Sequence, residues 1–147
     1  MDRSHLQHQI LYMRRSLFDQ GYLDKEQFIQ LEELQDEANP NFVEEIVSLF
    51  YNDSARLIQN IEQTLCSRPI DFVKLDDILH QFKGSSSSIG AKKLKDACTQ
   101  FGEYCTAQNV DGCITTLQVV KQEYAILRRR LENYFQMVRQ AGQAETA

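Results

Sequence analysis

Apolar residues recur at spacings of three and four along almost the whole chain, and residues that break helices are scarce. The 147 residues include only two prolines and six glycines. No run of alternating β-branched residues marks a strand. Because proline and glycine are the residues that helix interiors tolerate least, helix breaks can be placed only where they or polar turn residues occur. The sequence therefore predicts a chain that is helical throughout.

The chain is divided into six helices by the start of a helix expected from about Ala91 to Gln108 and by four polar or glycine-containing segments. They are Gly21, EANPNF, SRPID and QNVDG. The first helix is expected from about Ser4 to Phe18, and the second before EANPNF. A long helix should end near Cys66, and the last helix should run to about Gln140.

Three side chains are candidate N-caps, namely Asp24, Asn41 and Asp71. The first two are each followed three residues later by Gln or Glu, which is the capping-box pattern. For the third helix, Asn39 before Pro40 is an alternative start. Gly112 can lie either in the last turn or inside the last helix.

Four long helices with short connections predict an all-α, antiparallel four-helix bundle, with two additional N-terminal helices covering one end. We expect a single domain over residues 1–147. The N-terminal helices would occupy about 4–36 and the bundle 40–140, with a frayed polar tail at 141–147. A monomer is expected, because one bundle can bury these apolar stripes unaided.

Composition excludes several classes of function. The net charge of −5 argues against nucleic acid as a partner. No apolar run approaches the roughly 18 residues that a membrane helix needs, and the N-terminus has no signal-peptide core, so we expect an intracellular protein. The four cysteines form no CxxC pair and are expected as free thiols. His5 and His8 lack further ligands beside them, so no metal site is predicted.

The segment ILHQFKGSSSSIGAKKL, residues 78–94, places a histidine before a lysine, a glycine and four serines. At about 100° per residue, the apolar residues of this helix fall about 160–220° away from His80. These residues are Leu75, Ile78, Phe82 and Ile89. His80 should therefore face solvent or a shallow surface rather than the core.

Three neighbours of His80 suit a phosphoryl group on its ring nitrogen. Gly84 lies one turn later, where a side chain would crowd the ring, although a mid-helix glycine costs ~1 kcal/mol relative to alanine. Lys83 would offset the phosphoryl charge, and Ser87 adds a small hydroxyl one turn beyond Gly84.

Other interpretations of this segment do not require His80 to carry a phosphoryl group. A surface histidine without function is not excluded by helix angle alone. The serines could form a linker, but apolar helical periodicity continues on both sides of them. A P-loop does not fit, because the lysine precedes the glycine and no strand is predicted before it.

The segment HQFKGSSSSIGA, residues 80–91, resembles the signature of plant histidine-containing phosphotransfer (HPt) proteins. FV…IVSLFYNDSARLI and VDGC extend the resemblance over nearly the whole chain. The resemblance implies that His80 is the phosphoacceptor, Lys83 steadies the phosphoryl group and Gly84 admits the receiver's aspartate. Gln81 and Ser87 would lie at the docking surface.

The resemblance also implies a role in the cell. Such proteins relay phosphate from the receiver domain of a hybrid sensor kinase to response regulators, in plants for cytokinin signalling. They are found in the cytoplasm and nucleus and have no kinase activity of their own. No cofactor is expected, because the magnesium that assists transfer belongs to the receiver domain.

One departure from the family concerns the helix after His80. Many members carry a basic residue near QFGEY, where this chain has Gly102 and Glu103. Lys83 is thus the better-supported phosphate partner. The nearby lysines, Lys92, Lys93 and Lys95, are interpreted as a solvated cluster.

Two other functional classes remain beside the phosphorelay carrier. A helical adaptor could dock receivers without carrying phosphate, although a member of that kind would lack the histidine. An enzyme is not supported by any carboxylate pair, triad or cofactor loop. Phe28 and Ile29 are candidate docking contacts on a short helix, with ordinary core packing as the alternative.

Overall fold

The computed structural model describes residues 3–146, with side chains for residues 3–142. This part of the chain forms six helices and no strand. They are α1 (Arg3–Asp19), α2 (Lys25–Glu33), α3 (Phe42–Cys66), α4 (Phe72–Ile89), α5 (Lys92–Thr106) and α6 (Val110–Thr146). The all-helical prediction is confirmed.

The last four helices form an antiparallel bundle. In it α4 packs between α3 and α5, and α6 closes the ring against α5 and α3. Helix α1 lies along α6 and α2 contacts α4. A single core cluster draws buried side chains from every helix, among them Leu17, Phe28, Val47, Phe82, Phe101 and Leu131.

Polar contacts fasten the N-terminal helices to the bundle and to each other. Arg14 of α1 pairs with Glu32 of α2 at 2.6 Å. Arg130 of α6 donates to the hydroxyl of Ser16 at 2.9 Å. The Lys93 ammonium lies 4.0 Å from the centre of the Tyr22 ring. The last contact places the turn between α1 and α2 beside the beginning of α5.

The capping predictions had different outcomes. Asp71 caps α4, since its side chain accepts from the backbone N–H of Lys74 at 3.0 Å. Asp24 and Asn41 occupy the N-cap positions of α2 and α3, but neither side chain makes a capping hydrogen bond. For α3, the Gln35 side chain accepts from the Val43 N–H at 3.1 Å instead. The two predicted capping boxes are therefore wrong.

Helix α6 is longer than the sequence suggested. It begins at Val110, so Gly112 is helical, and it continues to Thr146. The predicted end near Gln140 is too early, because alanine, glutamine and glutamate beyond it favour helix. Of the tail predicted to fray, Ala147 lies outside the described residues.

Candidate functional site

The exposed face of α4 presents His80. The apolar residues predicted to lie opposite it, Leu75, Ile78, Phe82 and Ile89, are all buried in the core. His80 itself is exposed, while Lys83 is half-buried and Gly84 is exposed. The predicted rotation of this helix is confirmed, and a core role for His80 is excluded.

The four serines are part of α4 rather than a linker. The helix runs without interruption through Ser85–Ser88 to Ile89. Ser86 is completely buried, where a small side chain lets a neighbouring helix approach closely. Ser88 donates its hydroxyl to the carbonyl of Ser85 at 2.6 Å. The serines therefore form the last turns of the helix that carries His80, and Ser86 is packed in the core.

Gly90 ends α4 and joins it to the start of α2. Its φ of +77° is in the left-handed region that favours glycine, and the Ala91 N–H donates back to the Ser86 carbonyl at 2.8 Å. The Asp24 N–H donates to the Gly90 carbonyl at 2.7 Å. A Cβ on Gly90 would lie 3.1 Å from the Asp24 carbonyl oxygen. Glycine thus permits the contact that holds this end of α4 in place.

A shallow cavity of about 260 Å³ lies between α4 and α5. Helix α4 contributes Asp76, Leu79, His80 and Lys83, and α5 contributes Cys98, Thr99, Gly102, Glu103 and Thr106. His80 and Lys83, which the sequence predicted to act together, therefore share one site.

Charge effects on two buried thiols show how α4 and α5 are aligned. Burial raises the pKa of Cys98 to about 12, while the Lys83 ammonium lowers it. Burial raises the pKa of Cys105 to about 11, with Cys113 and Asp76 adding to the rise. Lys83 thus lies near Cys98, and Asp76 near Cys105. Gly102 lines the same cavity as His80, from the neighbouring helix α5.

Gly84 and Gly102 both leave open space on the helices that form the site. A Cβ at either position would meet no other group within 4 Å. Gly84 lies one turn along α4 from His80, and Gly102 lies on the facing helix. From the sequence, Gly84 was predicted to be part of the site, whereas Gly102 was noted only as a departure from the family. The antiparallel pairing of the two helices is the signal that would have found it.

The cavity holds few groups that could stabilise a phosphoryl group. Among the described residues that line it, Lys83 is the only cation. Thr99 donates its hydroxyl to the Lys95 carbonyl at 3.1 Å, and Thr106 donates to the Gly102 carbonyl at 3.0 Å. Because these hydroxyl protons are used within α5, the Lys83 ammonium is the group best placed to neutralise an anion on His80.

The predicted docking residues do not all lie on the surface. Gln81 is exposed, and Ser87 and Ile29 are half-buried. Phe28 is only 1% exposed and packs edge-on against Phe18, with ring centres 6.0 Å apart. Phe28 as a docking contact is therefore wrong, because its side chain fills the core between α1 and α2.

Ser87 lines a second cavity beyond His80. This cavity, of about 330 Å³, includes Gln27 of α2 and both Lys92 and Lys95 of α5. The Gln27 amide donates to the Ser88 carbonyl at 3.3 Å. The exposed surface around His80 therefore continues toward α2 and the first turn of α5.

None of the described helices contains a stretch long and apolar enough to cross a membrane. No group of three or more His, Cys, Asp or Glu side chains within the described residues is arranged to hold a metal ion.

The sequence and fold are similar to those of known proteins. A family model described as the Hpt domain matches residues 45–144. Histidine-containing phosphotransfer protein 4 of Arabidopsis thaliana is 61% identical over 117 residues, covering 80% of this chain and 91% of the relative. Pseudo histidine-containing phosphotransfer protein 2 of Oryza sativa subsp. japonica is 52% identical over 147 residues, covering 100% of this chain and 97% of the relative.

Solved structures of similar proteins share the fold. A histidine-containing phosphotransfer protein from Medicago truncatula superposes with a TM-score of 0.90 at 39% identity, covering 95% of each chain. One from maize gives a TM-score of 0.86 at 42% identity, covering 92% of this chain and 98% of the other.

Proposed function

Because this chain belongs to the Hpt family of plant histidine-containing phosphotransfer proteins, we propose that His80 is the residue that carries its phosphoryl group. The group arrives from the receiver domain of a hybrid sensor histidine kinase and leaves to the aspartate of a response regulator. The protein is a phosphohistidine carrier without kinase activity of its own.

The observation that supports this role most directly is the setting of His80. It is an exposed nitrogen nucleophile on a helix whose opposite face is buried. It lies in a cavity with one cation, Lys83, and an incoming group can approach past Gly84. These are the features that an exchange of phosphate between two proteins requires.

The transfer is a displacement at phosphorus. A lone pair of a His80 ring nitrogen forms the N–P bond while the P–O bond to the receiver's aspartate breaks and its electron pair returns to the carboxylate. The reverse displacement on a second receiver regenerates the histidine. The Lys83 ammonium offsets the negative charge of the phosphoryl group both when His80 receives it and when His80 donates it.

The surface that the receiver contacts must include the residues around His80. Gln81 and Ser87 lie on the same helix as His80, Ser87 also lines the second cavity, and Ile29 on α2 supplies a half-buried apolar side chain. We place the receiver surface over these residues.

A phosphorylated receiver domain tests the proposal. Incubation with radiolabelled phospho-receiver should give label on this chain that is acid-labile and alkali-stable, and peptide mapping should locate it at His80. Incubation with labelled ATP alone should give none. Label on an aspartate or serine, or labelling from ATP, would contradict the proposed chemistry.

A helical adaptor that docks receivers without carrying phosphate is the second candidate. It is favoured by the relatives named pseudo histidine-containing phosphotransfer proteins, two of which are 52% identical over 147 residues. This chain nevertheless has a histidine at position 80. Receiver binding without any transfer of label would support the adaptor.

The cellular role extends this proposal. Action in cytokinin signalling, in both cytoplasm and nucleus, suits a carrier between membrane-bound sensors and nuclear regulators. A fluorescent fusion should appear in both compartments, and light scattering should give the mass of one chain.

A further inference from the structure

Negative charges outnumber positive charges in the cavity beside His80. This imbalance affects the stability of a phosphoryl group on His80. Asp76 lies one turn before His80 on α4, and Glu103 lies next to Gly102 on α5. Both line the same cavity as Lys83. Two carboxylates and one ammonium therefore face the position that a phosphoryl group would take.

The rest of the α5 wall does little to offset these carboxylates. The hydroxyl protons of Thr99 and Thr106 are donated to backbone carbonyls of α5, so these protons are not available to a phosphoryl group. Gly102 contributes no side chain and leaves open space on α5. An anion on His80 would share the cavity with one ammonium, Lys83, and two carboxylates, Asp76 and Glu103.

We propose that Glu103, acting with Asp76, raises the free energy of the phosphohistidine of this chain. The equilibrium between phosphohistidine and the receiver's phosphoaspartate is thereby shifted toward phosphoaspartate. The inference rests on His80 being the phosphoacceptor. Glu103 is not a catalytic residue, because it acts through the field it exerts on the phosphoryl group. It sets the equilibrium between phosphohistidine and the receiver's phosphoaspartate, and with it the direction of net flow.

The physical reason is Coulomb repulsion. Phosphorylation adds negative charge at His80, and each nearby carboxylate raises the free energy of that state but not of the free histidine. When the N–P bond breaks, its electron pair returns to the ring nitrogen and the phosphoryl group joins the receiver's carboxylate oxygen. The repulsion is then relieved, so transfer away from this chain is favoured.

The equilibrium constant of transfer isolates this effect from docking. One receiver domain and this protein are allowed to exchange phosphate at concentrations where little complex accumulates. The ratio of phosphohistidine to phosphoaspartate is then read from both starting directions. Contacts that exist only in the complex do not change this ratio, because phosphate passes through the same complex in the forward and the reverse transfer.

Glu103→Gln should shift this equilibrium about threefold toward phosphohistidine at low salt, and Glu103→Lys about tenfold. Both shifts should shrink in 0.5 M salt, because Glu103 is exposed and its field is screened. Glu45→Gln is the matched control, since it makes the same change at an exposed glutamate of α3 that lines neither of the two cavities beside α5. It should leave the constant unchanged.

Equal constants for the parent, Glu103→Gln and Glu103→Lys would overturn the inference. An equally large shift with Glu45→Gln would also overturn it, because net charge alone would then be responsible. Acceptance of label by the parent is measured first. Its absence would reject the proposed phosphoacceptor itself, whereas label with unchanged constants would reject only the role of Glu103.

Discussion

Gly84 shows what single residues contribute to this site. Its position is exposed and a Cβ there would meet nothing within 4 Å, so packing does not require glycine. Mid-helix glycine nevertheless costs ~1 kcal/mol relative to alanine. A residue that weakens its helix without a packing reason, one turn from an exposed histidine, is best explained by access to that histidine.

We therefore expect stability and transfer to separate in Gly84→Gln. Glutamine should raise the free energy of unfolding by about 0.5–1 kcal/mol, because it is a good helix former in open space. Its side chain would obstruct the approach to the His80 ring, so transfer from a phosphorylated receiver should slow by about tenfold or more. Urea unfolding and single-turnover transfer measure the two effects.

Gly84→Ala provides the control for this experiment. It should stabilise the helix similarly while its methyl group leaves the approach largely clear. Parental transfer rates in a stable Gly84→Gln protein would contradict the steric role. Loss of stability would mean that position 84 contacts another helix.

At the scale of the helix, the two ends of α4 are fixed by different means. Asp71 caps the beginning through a local hydrogen bond. The end depends on Gly90, whose left-handed conformation and missing side chain allow α2 to approach within hydrogen-bond distance. The orientation of His80 thus depends on a contact between α4 and α2, which are distant in sequence.

Gly90→Ala should lower the free energy of unfolding by more than about 1 kcal/mol, because a Cβ is strained at positive φ and would crowd the Asp24 carbonyl. The melting temperature measures this loss. Gly142→Ala is a matched control, since its Cβ would meet nothing within 4 Å. A Gly90→Ala protein as stable as the parent would show that the junction tolerates a side chain.

At the scale of the whole molecule, stability should depend on alkaline pH through buried thiols and phenols. Burial raises the pKa of Cys98 to about 12 and of Cys105 to about 11 from the ordinary value of 9.0. Burial likewise raises the pKa of Tyr134 from 10.0 to about 12. Between the two values, the unfolded chain releases protons that the folded protein retains.

These groups should therefore contribute no pH dependence below about pH 8, and the free energy of unfolding should fall as the pH rises through 9 toward 11. Chemical denaturation under reducing conditions at several pH values measures the slope. Cys98→Ala should give a shallower fall, whatever its stability at pH 7. A slope that is unchanged in this variant would contradict the assigned burial of the thiol.

Much of the fold could be predicted because its rules are local. Helix periodicity located all six helices and the rotation of α4 about His80. The early end predicted for α6 underestimated local helix propensity, whereas three other features depended on contacts with residues outside the helix concerned. Gln35 caps α3 in place of Asn41, Phe28 is buried by α1, and Gly102 becomes part of the site only through the pairing of α4 with α5.

The central claim is that His80 carries the phosphoryl group, and His80→Gln tests it most directly. Because His80 is exposed and the opposite face of α4 forms the core, this variant should keep the parental helicity and melting temperature. Glutamine cannot form a phosphoramidate, so label from a phosphorylated receiver should be lost completely. Retained acid-labile label in a folded His80→Gln protein would contradict the account.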